Sequence, residues 1–188
     1  SRINAEHWAR FERRDITAEQ LKVARFQALL DFFDLRPEPA AAGRLSARYL
    51  AALSGKAYFL PHAQEVLEGL SRRARLCLIT NGLTRVQRGR IRKAGIERFF
   101  RAVLISEELG LAKPDPRYFH RAAEALGLPP SELLCVGDNP SADVGGARAR
   151  DHRRIPGIRH ATLRAEQVRP AVSEQAFAPD LQHAVDVA

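Results

Sequence analysis

The sequence predicts an α/β protein in which a parallel sheet follows a helical first third. Apolar residues recur at helical spacing through this first third, and shorter apolar runs then alternate with helical segments. The spacing of strand, helix and strand is that of βαβ units, which pair their strands in parallel through right-handed crossovers. We therefore expect helices first and then a parallel sheet covered by further helices.

The first third begins with a strong helix signal. The stretch "TAEQ" at Thr17–Gln20 has the form of a capping box. The apolar residues after it predict one helical face: Phe26, Leu29, Leu30 and Phe33. The segment "RPEPAAAG" at 36–43 ends this helix, and a second helix runs to about Leu53. Pro61 suits the first turn of a third helix.

The rest of the chain alternates between strands and helices. Apolar runs predict strands at Leu76–Thr80, Ala102–Ser106 and Leu133–Gly137, with a weaker one near His152–Ile155. Helices are predicted between and after them at Thr84–Ala94, Pro116–Leu126 and Ala142–Arg150. Asp115 is a plausible N-cap for the second of these, and Gly127 a plausible end.

Composition narrows the class of protein. The net charge of +8 comes mainly from arginines scattered along the chain, with no nucleic-acid-binding motif, so we expect no nucleic-acid partner. No apolar run reaches the length of a membrane span. Cys77 and Cys135 each lie in an apolar run, which favours buried, reduced thiols over a disulfide. These features predict a cytoplasmic protein.

Polar residues follow each strong strand, at the edge where parallel sheets bind ligands. They are Thr80, Asn81 and Gly82 after the first strand, Lys113 after the second, and Asp138 and Asp143 after the third. A phosphate ester requires donors for its oxygens, a cation for its charge, and usually Mg²⁺ held by carboxylates. Each residue alone is a common turn or surface residue, but the ordered set predicts a phosphoryl site.

Three stretches carry a resemblance to a known family. "LCLITNG", "AKPDPRYF" and "LLCVGDNPSADVGGA" resemble the second, third and fourth motifs of the haloacid dehalogenase superfamily of phosphohydrolases. The likeness extends over nearly the whole chain and is nearest to the branch that contains pyrimidine 5′-nucleotidases. It implies a Rossmann-like core at residues 57–188 and a partial helical cap at residues 1–56.

The resemblance also implies roles for the site residues. Thr80, Asn81 and Gly82 would bind the phosphoryl group, Lys113 would stabilise it and the nucleophile, and Asp138 and Asp143 would hold Mg²⁺. The implied activity is hydrolysis of a small phosphomonoester, with a nucleoside 5′-monophosphate as the favoured substrate. The resemblance does not determine the oligomeric state.

One family motif is absent from the sequence. The family's nucleophile is an aspartate in an Asp-x-Asp pair after the first strand, and no such stretch occurs here. Asp31 and Asp34 have the wrong spacing and lie on a predicted helix. The chain also lacks methionine, so we expect that an N-terminal segment with the first core strand is missing. The alternative is a protein that has lost its nucleophile; on either view, this chain alone should be inactive.

Two other functions stay open at this stage. A metal-independent haloacid dehalogenase would share the fold, but it would not need the carboxylates of Asp138 and Asp143 for a cation. A phosphate-binding or interaction protein would bind phosphate without hydrolysing an ester.

Overall fold

The structure is a computed structural model that describes residues 2–144 and 159–162. The chain begins with the helices α1 (Arg2–Glu12), α2 (Ala18–Phe32), α3 (Ala41–Ser54) and α4 (Ala63–Ser71). It continues with β1 (Leu76–Thr80), α5 (Thr84–Ala94), β2 (Phe100–Ile105), α6 (Ser106–Leu109), α7 (Pro116–Leu126), β3 (Leu134–Gly137) and β4 (Arg159–Thr162). Short 3₁₀ turns occupy Glu97–Phe99 and Pro130–Glu132, and a π-helical turn occupies Pro140–Val144.

The capping box predicted at the start of α2 is confirmed. The Gln20 N–H donates to Thr17 Oγ1 at 3.2 Å, and the Thr17 N–H donates to Gln20 Oε1 at 2.8 Å. The predicted apolar face is wrong at its last residue, because Phe33 is the C-cap and its side chain is 62% exposed. Leu30 of the predicted face is buried, and the helix also buries Leu21 and Arg25.

The N-terminal helices pack against the first helix of the sheet region. Leu21 of α2 and Leu50 of α3 form one buried cluster with Leu83 and Val86 at the start of α5. Trp8 and Phe11 of α1 pack against this cluster and meet edge to face, with ring centroids 5.8 Å apart. Both aromatic residues of α1 therefore contribute to the packing of the helices.

The predicted parallel pairing is confirmed in two places. Strand β1 pairs with β2 in a register that joins Thr80 to Ile105, and β3 pairs with β4 in a register that joins Gly137 to Thr162. Within the described residues these are separate two-stranded sheets, with no ladder between β1 and β3. Leu78 of β1 packs with Ile91 and Ile96, which seals α5 onto this strand.

Several predicted boundaries shift. Strand β2 covers Phe100–Ile105, and Ser106 begins α6 instead of ending the strand. Of the predicted helix Ala142–Arg150, the first residues lie in the π-helical turn and the rest lie outside the described residues. The weak strand near His152–Ile155 also lies outside them, and the fourth observed strand is Arg159–Thr162.

Helix α7 matches its predicted span. Its N-cap Asp115 accepts a hydrogen bond from the Arg117 N–H at 3.0 Å, and Pro116 occupies the first turn. Gly127 ends the helix in the left-handed region, with φ of 63°. Of the helices in the described part of the chain, none has the length and apolar character needed to cross a membrane.

Candidate active site

The last residue of β1 is held by a tyrosine from α7. Thr80 is fully buried, and its backbone N–H donates to the hydroxyl oxygen of Tyr118 at 3.1 Å. The same hydroxyl lies within donating distance of two carbonyl oxygens, 2.9 Å from that of Thr80 and 2.7 Å from that of Leu104 on β2. Tyr118 thus fixes the end of β1 against β2. Its place in the site is not visible in the sequence, where it reads as an ordinary helix residue.

The side chain of Thr80 has a partner that sequence reasoning also missed. The Nε2 atom of Gln87 on α5 donates to Thr80 Oγ1 at 2.8 Å, and both residues are buried. Gly82 lies directly under this glutamine, because a Cβ placed on Gly82 would come within 2.5 Å of the Gln87 Cγ. Gly82 is thus needed for this close approach, and its φ is not in the left-handed region.

Asn81 connects the end of β1 to the loop that carries Lys113. The Lys113 N–H donates to Asn81 Oδ1 at 2.7 Å, and Asn81 Nδ2 donates to the Lys113 carbonyl at 2.8 Å. This reciprocal pair fixes the Lys113 backbone much as a strand partner would. The contacts of Asn81 in the structure are therefore with Lys113, and a direct role in binding phosphate stays a prediction.

Lys113 and Asp143 form a buried ion pair. The Lys113 Nζ lies 2.7 Å from Asp143 Oδ1, and the two side chains are only 8% and 5% exposed. The same ammonium lies 3.5 Å from the Ile79 carbonyl on β1. Lys113 therefore links the end of β1 to the turn that follows β3, and the three strand ends named by the sequence come together around it.

Asp143 is held in place by the turn after β3. Its Oδ2 accepts a hydrogen bond from the Asn139 N–H at 3.0 Å. The Asn139 side chain accepts hydrogen bonds from the N–H groups of Ser141 and Ala142, both at 3.1 Å, which closes the turn. A Cβ on Gly137 would overlap the Asp143 carboxylate, so only glycine allows this arrangement.

Asp138 follows β3 directly and is exposed to solvent. The described residues contain no group of three or more His, Cys, Asp and Glu side chains that could enclose a metal. A dedicated all-protein site of the zinc type is therefore not formed by them. Mg²⁺ commonly uses one or two carboxylates and completes its shell with water and phosphate oxygens. The exposed Asp138 carboxylate, with Asp143 one turn later, fits that requirement.

The two cysteines near this edge are not activated nucleophiles. Both thiols are free, on β1 and β3 respectively. Burial raises the pKa of Cys77 to about 11 and, with the nearby Asp143 charge, that of Cys135 to about 11. Both therefore stay protonated at neutral pH. The prediction of free thiols is confirmed, although each side chain is only partly buried.

The stretch that comes nearest to the nucleophile motif in sequence, residues 31–34, lies at the surface. Asp31 and Asp34, at the end of α2, pair with Arg36 at 3.9 and 2.8 Å in exposed ion pairs. These contacts are those of solvated acids. Among the described residues, the carboxylates at the candidate site are thus Asp138 and Asp143.

Comparisons with known proteins show which family the sequence resembles. A family model described as haloacid dehalogenase-like hydrolase matches residues 3–150. The chain is 32% identical over 149 residues to pyrimidine 5′-nucleotidase YjjG of Escherichia coli, a match that covers 78% of this chain and 64% of the relative. It is 45% identical over 96 residues to phosphoserine phosphatase of Thermus thermophilus, covering 50% of this chain and 39% of that protein. The chain thus spans less than two thirds of the length of these relatives.

Solved structures show the same fold. The magnesium-bound form of YfnB from Bacillus subtilis superposes with a TM-score of 0.70 at 28% identity, over 77% of this chain and 64% of that one. A 2-haloacid dehalogenase from Pseudomonas syringae superposes with a TM-score of 0.61 at 24% identity, over 92% and 72%. At that identity the dehalogenase match shows the fold alone.

Proposed function

The chain belongs to the haloacid dehalogenase-like hydrolase family, and we propose that the full-length protein is a Mg²⁺-dependent phosphomonoesterase. The observation that carries this proposal is the buried contact of Lys113 with Asp143 beside the end of β1. The Lys113 ammonium lies there between the strand end that carries Thr80 and the turn that carries Asp143. Such a constellation suits a phosphoryl group, which needs its charge balanced and its oxygens held.

Each residue has a proposed role in this reaction. Thr80 donates a hydrogen bond to a phosphoryl oxygen, Lys113 neutralises charge on the phosphoryl group, and Gly82 and Asn81 keep both in position. Asp138 and Asp143 would hold Mg²⁺, which when bound supplies further positive charge at the phosphoryl oxygens. The two oxygens of Asp143 contact the Lys113 ammonium and the Asn139 N–H, and their remaining lone pairs would serve the metal.

The nucleophile is proposed to lie outside this chain. It would be an aspartate on a strand that pairs between β1 and β3, where the described residues show no ladder. Attack by that carboxylate on the phosphorus would break the bond to the ester oxygen, which would leave as the alcohol with a proton from the second aspartate of the Asp-x-Asp pair. Water would then hydrolyse the aspartyl-phosphate to inorganic phosphate and the free aspartate. The Lys113 ammonium, which contacts the Ile79 carbonyl on β1 and the Asp143 carboxylate after β3, would lie beside that aspartate.

The substrate class rests on the relatives and on the helical region. Pyrimidine 5′-nucleotidases and a phosphoserine phosphatase among the relatives support a small phosphorylated substrate, with a nucleoside 5′-monophosphate favoured. Residues 1–56 would form the cap that discriminates among such substrates. Trp8 and Phe11 of α1 pack against the buried cluster of α2, α3 and α5, so we do not propose that they stack on a base.

The second candidate function is the one that the sequence leaves open, a dehalogenase of the same fold that needs no metal. The two activities separate in one experiment on the full-length protein. Phosphate release from nucleoside monophosphates and chloride release from 2-chloropropionate are measured with Mg²⁺ and with excess EDTA. We expect phosphate release that EDTA abolishes and no chloride release. Chloride release that persists in EDTA would replace the phosphatase proposal with the dehalogenase.

A further inference from the structure

Gln87 is the one polar side chain that contacts the Thr80 hydroxyl among the hydrogen bonds of the described residues. Its Nε2 atom donates to Thr80 Oγ1 at 2.8 Å, and the two residues are 5% and 0% exposed. The other end of the amide, Oε1, is buried and has no hydrogen-bond partner among the described residues. The structure turns the amide nitrogen toward Thr80, so Gln87 is assigned as the donor of this hydrogen bond.

The direction of this hydrogen bond determines where the Thr80 hydroxyl proton can point. A threonine hydroxyl has one proton to donate and lone pairs that accept. Because Gln87 fills an accepting position on Oγ1, the Thr80 proton must point to another acceptor. A phosphoryl oxygen beside Thr80 would be that acceptor, whereas an acceptor at position 87 would draw the same proton away.

The glutamine is held firmly enough to impose this orientation. It packs on Gly82, where a Cβ would come within 2.5 Å of both its Cγ and its Nε2. It lies in the first turn of α5, where its own N–H donates to the Leu83 carbonyl at 2.9 Å. The start of that helix is fixed in turn by the Glu107 carboxylate, which accepts from the Thr84 N–H at 2.6 Å.

We infer that Gln87 is a positioning residue that turns the Thr80 hydroxyl proton toward the bound phosphoryl group. This inference rests on the proposed function and extends it to a residue outside the strand-end motifs. Gln87 contacts neither substrate nor metal in this account. It acts through Thr80 alone, which separates it from a residue that merely fills space.

The most informative substitution is Gln87→Glu in the full-length protein. The introduced carboxylate accepts the Thr80 proton and turns it away from the substrate, so kcat should fall about tenfold or more at pH 8. A buried carboxyl has a raised pKa, and once protonated it can donate as the amide does. The ratio of variant to wild-type kcat should therefore rise as the pH is lowered toward 5.5. Because a buried carboxylate also destabilises a fold until it is protonated, circular dichroism at both pH values checks that the variant stays folded across this range.

A double-mutant cycle gives the second readout. Gln87→Leu should lower kcat about tenfold with a smaller change in KM, and should cause no further loss when added to Thr80→Val. Gln64→Leu, the same change at an exposed position on α4, is the matched control and should leave kcat unchanged. Circular dichroism checks that each variant is folded. If Gln87→Leu does not fold, the pH dependence of the kcat ratio between Gln87→Glu and the wild type remains the test.

The outcomes separate the inference from the function it rests on. A wild-type protein that releases no phosphate from any nucleoside monophosphate would overturn the proposed function. An active wild type with a pH-independent ratio for Gln87→Glu, or with additive losses in the cycle, would overturn the role of Gln87 and leave the phosphatase intact.

Discussion

At the scale of the residue, the buried ion pair of Lys113 and Asp143 affects both the stability of the chain and the geometry of its candidate site. Their charges lie 2.7 Å apart with both side chains almost wholly buried. Taking two charges out of water is costly, and their attraction offsets that cost only while both are present. The pair therefore couples the stability of the chain to the geometry of its site.

Removing either partner of this pair should destabilise the chain strongly. Lys113→Met and Asp143→Asn are each expected to lower the free energy of unfolding by about 3–5 kcal/mol, because each leaves one buried charge without a partner. The double variant Lys113→Met/Asp143→Leu should recover most of that loss. Urea unfolding measures all of these.

The matched control is an exposed pair. Arg121 and Glu124 lie 2.9 Å apart with side chains 60% and 62% exposed, so Arg121→Met should cost less than about 1 kcal/mol. Equal costs for Lys113→Met and Arg121→Met would show that the pair is solvated in the folded chain, contrary to the structure.

Tyr118 gives a second test at this scale. Tyr118→Phe removes the hydroxyl that accepts from the Thr80 N–H and lies within donating distance of the Thr80 and Leu104 carbonyl oxygens. The buried Thr80 N–H is then left without a partner, so the free energy of unfolding should fall by about 1–3 kcal/mol. Tyr58→Phe, at a residue that is 70% exposed, should change it little. An unchanged midpoint for Tyr118→Phe would mean that water replaces the hydroxyl.

Which site residues the sequence could reveal depends on how they are placed. Thr80, Lys113, Asp138 and Asp143 follow strands or the loops after them, and parallel strands deliver such residues to one edge. Gln87 and Tyr118 reach the same edge from helices, and their contacts depend on how α5 and α7 pack on β1. No local pattern encodes those contacts.

At the scale of the element, the start of α5 is secured by residues distant in the chain. Its N-cap Leu83 makes no side-chain cap, and the Glu107 carboxylate instead accepts from the Thr84 N–H. Lys22 of α2 pairs with Glu107 at 3.0 Å and with Glu19 at 2.6 Å. These contacts tie the N-terminal helices to the helix that directly follows the Thr80 loop.

This arrangement has a consequence for acid stability. Burial alone would raise the pKa of Glu107, but the hydrogen bond from the Thr84 backbone and the ion pair with Lys22 outweigh it and lower the pKa below its ordinary value of 4.5. A carboxyl whose pKa is lowered by folding contributes stability above its unfolded value and loses it as the pH falls through the folded value. The contribution should therefore be complete at neutral pH and fade below about pH 4.5.

The variant Glu107→Gln tests whether the stability that Glu107 contributes is lost on acidification. The variant should unfold more easily than the wild type at pH 7, and the difference in unfolding free energy should shrink progressively below about pH 4.5. Urea unfolding across this range provides the measurement, with Glu124→Gln in the exposed pair as the control. A difference that grows on acidification would contradict the lowered pKa.

Some boundaries of helices and strands were predictable from the sequence and others were not. Helix α7 was predictable over its whole span because Asp115, Pro116 and Gly127 each mark a boundary chemically. The end of α2 was not, because Phe33 continues the apolar spacing although the backbone has already left the helix. After β3 a π-helical turn replaces a regular helix start, since it must bring Asp143 back against Gly137.

At the scale of the whole molecule, the described residues form two parallel strand pairs joined at the site by the side chain of Lys113. The ammonium contacts the Ile79 carbonyl on β1 and the carboxylate that follows β3. On β3, Leu134 and Val136 are 60% and 41% exposed, although they lie on a strand of a predicted core. A strand between β1 and β3 would pair both free edges, as the proposed nucleophile strand requires.

The parallel α/β class and the parallel pairings were predictable because the βαβ spacing permits few alternatives. The separation of the described strands into two sheets was not predictable, since strand register and edge pairing depend on which strands are present. The proposed nucleophile strand would account both for the absence of an Asp-x-Asp stretch from the sequence and for the lack of a ladder between β1 and β3 among the described residues. The proposed completion of the site is thus one hypothesis for both observations.

The most direct test of this account is phosphate release from a nucleoside 5′-monophosphate by the full-length protein, compared with its Lys113→Ala variant in the presence of Mg²⁺. The account predicts turnover by the wild type and a loss of about a hundredfold or more in kcat for the variant, because the developing phosphoryl charge is left unbalanced. Turnover by the variant at the wild-type rate would contradict it and would remove Lys113, and with it the whole strand-end constellation, from the catalytic site.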